Sequence, residues 1–377
     1  MPANPYHFGS PADDLHFTDR KRELNKLSTL MLNGQNLVLI APRRYGKSSL
    51  LARAVKEVRA RGGRSGRVSL MRCASEKDVA EALLKGVFVG PLSWLHGRTA
   101  ELVQHLKRIR LDPQMKLDPI SGLIVGVSFG PYTTDINWQD VISDVIRVLG
   151  NVSDDKHPVS MILDEFQKAY EISPNIPDLM KDIVDELPRV SFVFAGSKRH
   201  LMDAMATDPK RGALYNVGDK LYLQQIPEAD FVGYLVDRAE VGGKTLTVAV
   251  AESIYQAAMG VPNDVQLLAF WAFESAEKVI DSAAVKVALR TAVADRADEF
   301  EEVFDALALS QQLLLKFIAR TSVEFLNGSD VQKELRVSHT AARKAGDVIQ
   351  RAELIHRHEG RWVISNGLFK EWLLDDQ

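Results

Sequence analysis

Short apolar runs alternate with helix-like stretches through the first part of the chain. The runs are nearly continuous and lie at 36–41, 67–72, 159–163, 190–195 and 221–223. Short, unbroken runs of this kind are typical of strands buried on both faces of a parallel sheet. Apolar residues between them have helical spacing, as at Leu50, Leu51, Ala54, Val55 and Val58. Strands that alternate with helices predict an α/β fold built on a parallel sheet.

Two other regions depart from this alternation. Over 112–134, apolar residues are interleaved with Asp, Gly, Ser and Pro, which predicts a β-hairpin insertion. Before this insertion, after the apolar run at 67–72, amphipathic helices are expected over 78–89 and 99–109. From 227 to 298 the pattern is helical almost throughout, with its main breaks at glycine pairs and at Gly260.

The C-terminal part has a third pattern. Helices are predicted over 310–320, 329–335 and 338–352, and short apolar stretches follow at 354–355 and 362–364. Three helices and a two-stranded ribbon make the layout of a winged helix. We therefore expect three domains, namely a core over 1–225 with its hairpin insertion at about 112–134, a helical lid over 226–305 and a winged helix over 306–377.

Composition narrows the class of protein. The chain has 377 residues, 46% of them hydrophobic and 26% charged, which is typical of a globular protein. A formal net charge of −3 argues against a protein that coats nucleic acid nonspecifically. Cys73 is the single cysteine, so an internal disulfide and Cys-rich zinc sites are excluded and a reducing compartment is favoured. With neither a signal-peptide pattern nor a long apolar segment, we expect a cytoplasmic protein without membrane contact.

The most informative motif is the octapeptide 41–48, which follows the first predicted strand and opens a predicted helix. Its backbone N–H groups would wrap a phosphate at the helix N-terminus. Gly46 allows close approach, Lys47 would reach the β- and γ-phosphates, and the Ser48 hydroxyl would hold Mg²⁺. Ala41 stands where phosphate-binding loops usually have their first glycine. The alternative interpretation of the octapeptide is a surface loop that contains Gly-Lys-Ser by chance. The full candidate nucleotide-binding set here is Ala41, Pro42, Arg43, Arg44, Tyr45, Gly46, Lys47, Ser48 and Ser49.

An acidic pair, Asp164 and Glu165, ends the third predicted strand. Ligands of open parallel sheets bind at the carboxyl ends of the strands, so Asp164 would support Mg²⁺ and Glu165 would activate water. Ser197 ends the next strand and would contact the γ-phosphate or the water, or else cap a turn. We take Glu165, Lys47 and Ser197 as the catalytic candidates. The alternative for the acidic pair is an ordinary helix cap.

Together these residues resemble the archaeal-type P-loop ATPase family, a branch of the STAND group that is related to AAA+ proteins and origin-recognition ATPases. The resemblance covers 4–9, 17–24, the loop, 163–167, 194–197 and 260–262. It implies ATP and Mg²⁺ as cofactors and places Arg20, with Phe17 and Glu23, near the adenine. Pro262 would present a helix N-terminus to the nucleotide, or mark a helix corner.

One departure from the family concerns the arginine finger. The family often has Gly-Arg after the Leu-Tyr dipeptide beyond the third motif strand, whereas this chain continues Leu214-Tyr-Asn-Val-Gly. Arg199 and Arg211 are the remaining candidates. Since a finger can contribute about 10³ or more to the rate, low turnover is expected.

The tail carries a modest excess of positive charge. Between residues 336 and 361 there are six Lys or Arg against three Asp or Glu. His339, Arg343 and Lys344 on the last predicted helix, and Arg361 on the wing, would contact duplex DNA. The alternative is a protein-binding or autoinhibitory winged helix. The histidines are scattered, so no metal site other than the nucleotide-bound Mg²⁺ is expected.

These observations predict a Mg²⁺-dependent, ATP-binding protein with slow hydrolysis that acts as a conformational switch. The expected partners are ATP and ADP, duplex DNA or another protein, and further copies in a nucleotide-dependent oligomer. The alternative function is a DNA- or protein-binding regulator that holds nucleotide without useful catalysis.

Overall fold

The computed structural model describes residues 4–12, 15–93, 113–117, 124–129, 136–210 and 212–375. The chain divides into two compact units. One, the sheet unit, consists of Arg20–Arg43 and Lys47–Gln224. The other, the helical unit, consists of Met1–Asp19, Arg44–Gly46 and Gln225–Gln377. The predicted boundary between the lid and the tail, at 305 and 306, is untested by this division and stays a prediction.

The sheet unit is built on a five-stranded sheet whose neighbouring strands are all parallel, in the order β2-β5-β6-β1-β7. These strands are β1 Leu37–Ile40, β2 Arg64–Ser69, β5 Val159–Asp164, β6 Val190–Gly196 and β7 Asp219–Tyr222. β1, β5 and β6 are buried along their whole length, as the continuous apolar runs predicted. The parallel α/β fold is confirmed.

The predicted position of β2 was wrong by three residues. The strand begins at Arg64 opposite Val159 and ends at Ser69 opposite Asp164, whereas the apolar pattern placed it over 67–72. Its first residues are polar and glycine-containing, which in a sequence resembles a loop. Ser65 and Gly66 are nevertheless buried, because both faces of this strand are covered.

Helices connect the strands and cover the sheet. Their bounds are α1 Lys21–Leu32, α2 Lys47–Ala60, α3 Glu76–Val89, α4 Trp138–Arg147, α5 Gln167–Ile172, α6 Asn175–Glu186 and α7 Arg199–Thr207, with a 3₁₀ turn at Val148–Val152. Phe166 and Phe194 pack edge to face at 4.7 Å in the buried layer of this unit. This core fixes the ends of β5 and β6, where the candidate residues lie.

In the region of the predicted hairpin, β3 Pro113–Leu117 and β4 Ile124–Phe129 pair antiparallel. The remainder of 112–134, and the helix predicted over 99–109, lie outside the described residues.

The helical unit contains α8 to α16. Their bounds are α8 Glu228–Val241, α9 Val248–Ala257, α10 Pro262–Ser275, α11 Ser282–Ala294, α12 Ala297–Asp305, α13 Leu309–Arg320, α14 Ser329–Leu335, α15 His339–Arg351 and α16 Gly367–Asp375. An antiparallel ribbon joins β10 Ile355–His358 to β11 Arg361–Ile364, and β8 Thr245–Leu246 pairs with β9 Val279–Ile280. The sequence pattern predicted neither α16 nor the two-residue strands β8 and β9.

One apolar core runs through the helical unit. Ile254, Leu268, Leu314 and Leu368 are fully buried in the same cluster, although they come from four different helices. The cluster therefore includes side chains from both the predicted lid and the predicted tail.

A buried carboxylate links three segments of this unit. Asp264 of α10 is fully buried, accepts from Nη1 of Arg296 at 2.7 Å and from Nδ2 of Asn366 at 2.6 Å. Arg296 precedes α12 and Asn366 precedes α16. Because a buried charge must be paired and hydrogen-bonded, this contact fixes how the three helices begin. Among the described residues, no helix is long and apolar enough to cross a membrane.

Candidate nucleotide site

The loop between β1 and α2 makes a tight turn. The N–H of Ala41 continues the sheet by donating to the carbonyl of Gly196 at 3.1 Å. Gly46 has φ +81°, and a Cβ built on it would meet nothing within 4 Å, so glycine is required there by the backbone conformation and not by crowding. α2 begins directly afterwards, at Lys47, and its first N–H groups lack partners within the helix.

Lys47 lies at the centre of the site. Its side chain is only 7% exposed, and its ammonium group donates to Oδ1 of Asp164 and, at 2.5 Å, to Oε1 of Glu165. Asp164 is the last residue of β5 and is almost fully buried. The loop lysine and the acidic pair, which are more than a hundred positions apart in the chain, are therefore in direct contact.

A second cation, Arg67 of β2, contacts the same carboxylate. Its Nη2 bonds to Oδ2 of Asp164 at 2.5 Å, and its Nη1 donates to the carbonyl of Ser48 at 3.1 Å. The sequence alone did not mark Arg67 as a site residue. The available signal was an arginine at the start of the predicted strand 67–72, in the strand that pairs with β5.

Glu165 is held by three donors. Lys47 bonds to Oε1, while Gln167 Nε2 and Ser197 Oγ donate to Oε2 at 2.5 Å and 2.7 Å. The backbone of Glu165 is left-handed, with φ +56°, which is uncommon for a residue with a side chain. Gln167 was also not marked as a site residue by the sequence, although the resemblance covers 163–167 and only Phe166 separates Gln167 from the acidic pair.

Opposing effects act on the pKa of Glu165. Burial raises it, but the charge of Lys47 and the hydrogen bonds from Lys47, Gln167 and Ser197 together outweigh burial, so the pKa lies below its usual value. Glu165 is therefore ionised at neutral pH.

The donor atoms present fit Mg²⁺. The Ser48 hydroxyl and the Asp164 carboxylate are the hard oxygen ligands that this ion prefers, and Asp164 lies at the carboxyl end of a central strand. These two residues would hold the ion, which supplies charge neutralisation for phosphate oxygens when bound.

Solved structures of other proteins share this architecture. The Walker-type ATPase PABY2304 of Pyrococcus abyssi is 15% identical, and the match covers 98% of this chain and 99% of that one with a TM-score of 0.68. The Aeropyrum pernix ORC2 protein in its ADPNP-ADP complexes is also 15% identical, with 96% of each chain covered and a TM-score of 0.58. The fold is that of a P-loop ATPase. No family model matches the chain, and no curated protein matches its sequence.

Two further nucleotide-binding candidates lie in different units. Arg20, in the sheet unit, is buried and left-handed, and bonds to Glu23 at 2.9 Å and to the carbonyl of Gln224 at 2.5 Å. Its guanidinium is thus engaged within the protein. Pro262, in the helical unit, is the first residue of α10, a position that suits its fixed φ.

The tip of the P-loop is grouped with the helical unit. The carbonyl of Arg44 accepts from the N–H of Asn263 at 3.2 Å, and its guanidinium bonds to both oxygens of Glu299, at 2.7 and 2.8 Å. Arg44 itself is left-handed, with φ +70°.

The candidate DNA-contacting residues are all exposed, but they differ in the hydrogen bonds that their side chains already make. His339, Arg343 and Lys344 lie exposed on α15, where His339 Nε2 accepts from Nδ2 of Asn327 at 2.7 Å. Arg361 on the ribbon is exposed as well, but its guanidinium is bound to the hydroxyl and carbonyl oxygens of Ser322.

Of the two arginine-finger candidates, Arg211 lies outside the described residues. Arg199 begins α7, is 59% exposed, lies 3.5 Å from Asp203 and lies over the ring of Tyr222.

Proposed function

We propose that the protein binds ATP with Mg²⁺ and hydrolyses it slowly. In this assignment residues 41–49 bind the phosphates, Lys47 contacts the terminal phosphates, and Ser48 and Asp164 hold the metal. Glu165 orients and deprotonates the attacking water. Ser197 was expected to contact the water or the γ-phosphate, but its one hydroxyl hydrogen is donated to Oε2 of Glu165, so we assign it to holding that acid.

The observation that carries the proposal is the meeting of Lys47 with Asp164 and Glu165 at the carboxyl edge of the sheet. An ammonium group and two carboxylates, buried together beside an open helix N-terminus, form a site that suits an anion and a divalent cation. The similar fold of the ORC2 protein, which was solved with ADPNP and ADP, supports adenine nucleotides as the ligand class.

The ion pairs of Lys47 with Asp164 and Glu165 are consistent with a role as a nucleotide-dependent conformational switch. Lys47 is bound to both acids here, and a triphosphate would compete for the same ammonium group. Nucleotide binding would therefore free Oδ1 of Asp164 for metal and Oε1 of Glu165 for water, so that loading changes the contacts of all three residues.

Calorimetric titration with ATP and Mg²⁺ tests the binding proposal. Lys47→Ala is expected to abolish measurable binding because the cation at the phosphates is lost. Lys26→Ala is the matched control, since Lys26 pairs with Asp219 on the surface of the same unit. Equal affinities of wild type and Lys47→Ala would refute the proposal.

We further propose that 306–377 is a winged helix that binds duplex DNA. The support is the arrangement of α13, α14 and α15 with the β10–β11 ribbon, to which Val323 adds a bridge at Trp362. The exposed cations of α15 would face the phosphates.

A mobility shift with duplex DNA at increasing salt tests this second function. Neutralising Arg343 and Lys344 to Gln should abolish the shift, while neutralising Lys286 and Arg290, an exposed pair on α11, should leave it intact. Phosphate release measured with and without the DNA then separates an ATPase from a regulator that merely holds nucleotide.

A further inference from the structure

Gln167 is a buried amide beside the second acid. It is the first residue of α5 and is 2% exposed. Its Nε2 donates to Oε2 of Glu165 at 2.5 Å, the same oxygen that accepts from Ser197. The other oxygen, Oε1, faces Lys47. The two oxygens of one carboxylate are therefore held by different kinds of donor.

The orientation of this amide follows from the charge of Glu165. A carboxylate accepts hydrogen bonds only, so the NH₂ group and not the carbonyl oxygen of Gln167 must face it. The amide oxygen lies instead against the end of β6, where a Cβ added to Gly196 would be 2.5 Å from it.

That amide oxygen lacks a compensating contact. Among the residues that the structure describes, Oε1 of Gln167 is buried without a hydrogen-bond donor. A buried acceptor left unpaired costs stability, so the contact that the amide does make requires an explanation. An apolar side chain of the same length would avoid this cost, but it could not donate to Glu165.

The backbone brings the amide to the acid. The left-handed turn at Glu165 is followed by a hydrogen bond from the N–H of Phe166 to the carbonyl of Ala195, at 2.9 Å. This bond ties the turn after β5 to β6, so that Gln167, which follows β5, and Ser197, which follows β6, both reach Oε2 of Glu165.

We propose that Gln167 is a positioning residue for hydrolysis. With Ser197 it holds Oε2 of Glu165, so that Oε1 is the oxygen presented to water once a triphosphate has drawn Lys47 away. The water oxygen then bonds to the γ-phosphorus, the bond from that phosphorus to the bridging oxygen breaks to release ADP, and the proton of the water passes to Oε1. The inference rests on the proposed ATPase activity.

Single-turnover hydrolysis of labelled ATP tests this role. Gln167→Met keeps the length and removes the donor, and is expected to lower the rate at saturating ATP about tenfold or more. ATP affinity by calorimetry should stay within about twofold, because the amide contacts neither Lys47 nor Ser48. Gln167→Leu, which also lacks a donor, should likewise lower the rate.

A double-mutant cycle separates positioning from general damage. If Gln167 acts through Glu165, then Gln167→Met should have no further effect on the residual rate of Glu165→Gln. Gln256→Met is the matched control, because Gln256 donates to Glu228 at 2.7 Å on the surface of the helical unit. Its rate should equal that of the wild type.

The outcomes are distinct. A wild-type rate in Gln167→Met, with hydrolysis lost in Glu165→Gln, would overturn this inference and leave the ATPase proposal standing. An equal fall in both backgrounds would make Gln167 a structural residue and also overturn it. A wild type no faster than Glu165→Gln would overturn the ATPase proposal and the inference together.

Discussion

Arg67 and Asp164 form an ion pair of 2.5 Å between the neighbouring strands β2 and β5. Because Lys47 bonds to the other oxygen of this carboxylate, both oxygens of Asp164 accept from a cation. Two cations thus face the two acids, and the site is close to neutral before any ligand enters. Phosphate and metal must each compete with an existing contact.

Removal of Arg67 should shift the balance between metal and phosphate. In Arg67→Met the site has one fewer positive charge, so Mg²⁺ should bind more readily. We expect the Mg²⁺ concentration for half-maximal ATP binding to fall about tenfold, which corresponds to ~1.4 kcal/mol in the free energy of Mg²⁺ binding. ATP binding without Mg²⁺ should weaken. Calorimetry over a range of Mg²⁺ concentrations measures both effects.

Arg59→Met is the control for that substitution. Arg59 also links α2 to β2, by donating to the carbonyl of Ser65 at 2.6 and 3.0 Å, but its partner is uncharged. An unchanged Mg²⁺ requirement in Arg67→Met would argue against competition at Asp164.

Glu165→Gln should separate binding from hydrolysis. The substitution keeps the size of the side chain but removes the base, so we expect hydrolysis to fall ~10²- to 10⁴-fold while ATP binding persists. Steady-state phosphate release and calorimetry check the two parts. Glu171→Gln, which alters a half-buried pairing with Lys168 and Lys198, should leave both unchanged.

Gly196→Ala should disturb the second acid without touching it. The added Cβ would lie 2.5 Å from both the amide oxygen of Gln167 and Sδ of Met202. We expect slower hydrolysis and retained ATP binding, because the displaced amide would no longer hold Glu165. Gly233→Ala, where an added Cβ meets nothing within 4 Å, should hydrolyse ATP at the wild-type rate.

Asp264→Ala should destabilise the helical unit. It leaves Arg296, whose side chain is 13% exposed, without its carboxylate, and the loss is expected to be about 3 kcal/mol in the free energy of unfolding. Urea unfolding measures it. The control is Glu186→Gln, which breaks an exposed ion pair with Arg147 and should leave the midpoint of urea unfolding unchanged. An equally unchanged midpoint in Asp264→Ala would show that the buried network does not stabilise the protein.

The sequence allowed the parallel sheet and the meeting of Lys47 with Asp164 and Glu165 to be predicted, because motif residues at strand ends must share one edge of a parallel sheet. Arg67 and Gln167 were missed for a physical reason. Each belongs to an element whose pattern is set by burial, and nothing in local spacing tells which distant carboxylate a polar side chain will reach.

The helix α16 was missed for a related reason. Leu368, Phe369 and Leu373 are apolar, but the segment is short and follows the ribbon that completes the expected winged-helix pattern. Its burial against Phe300 and other side chains of the helical unit stabilises the helix.

The packing of α16 has a practical consequence for dissecting the protein. Gly367 lies so close to Ala257 that a Cβ there would be 2.1 Å from its carbonyl oxygen, and the apolar face of the helix completes a core shared with α9 to α13. A fragment that begins at residue 306 would expose that face to water and be prone to aggregate. Experiments on the basic surface of α15 therefore need the intact chain, since an excised tail would report on its own insolubility.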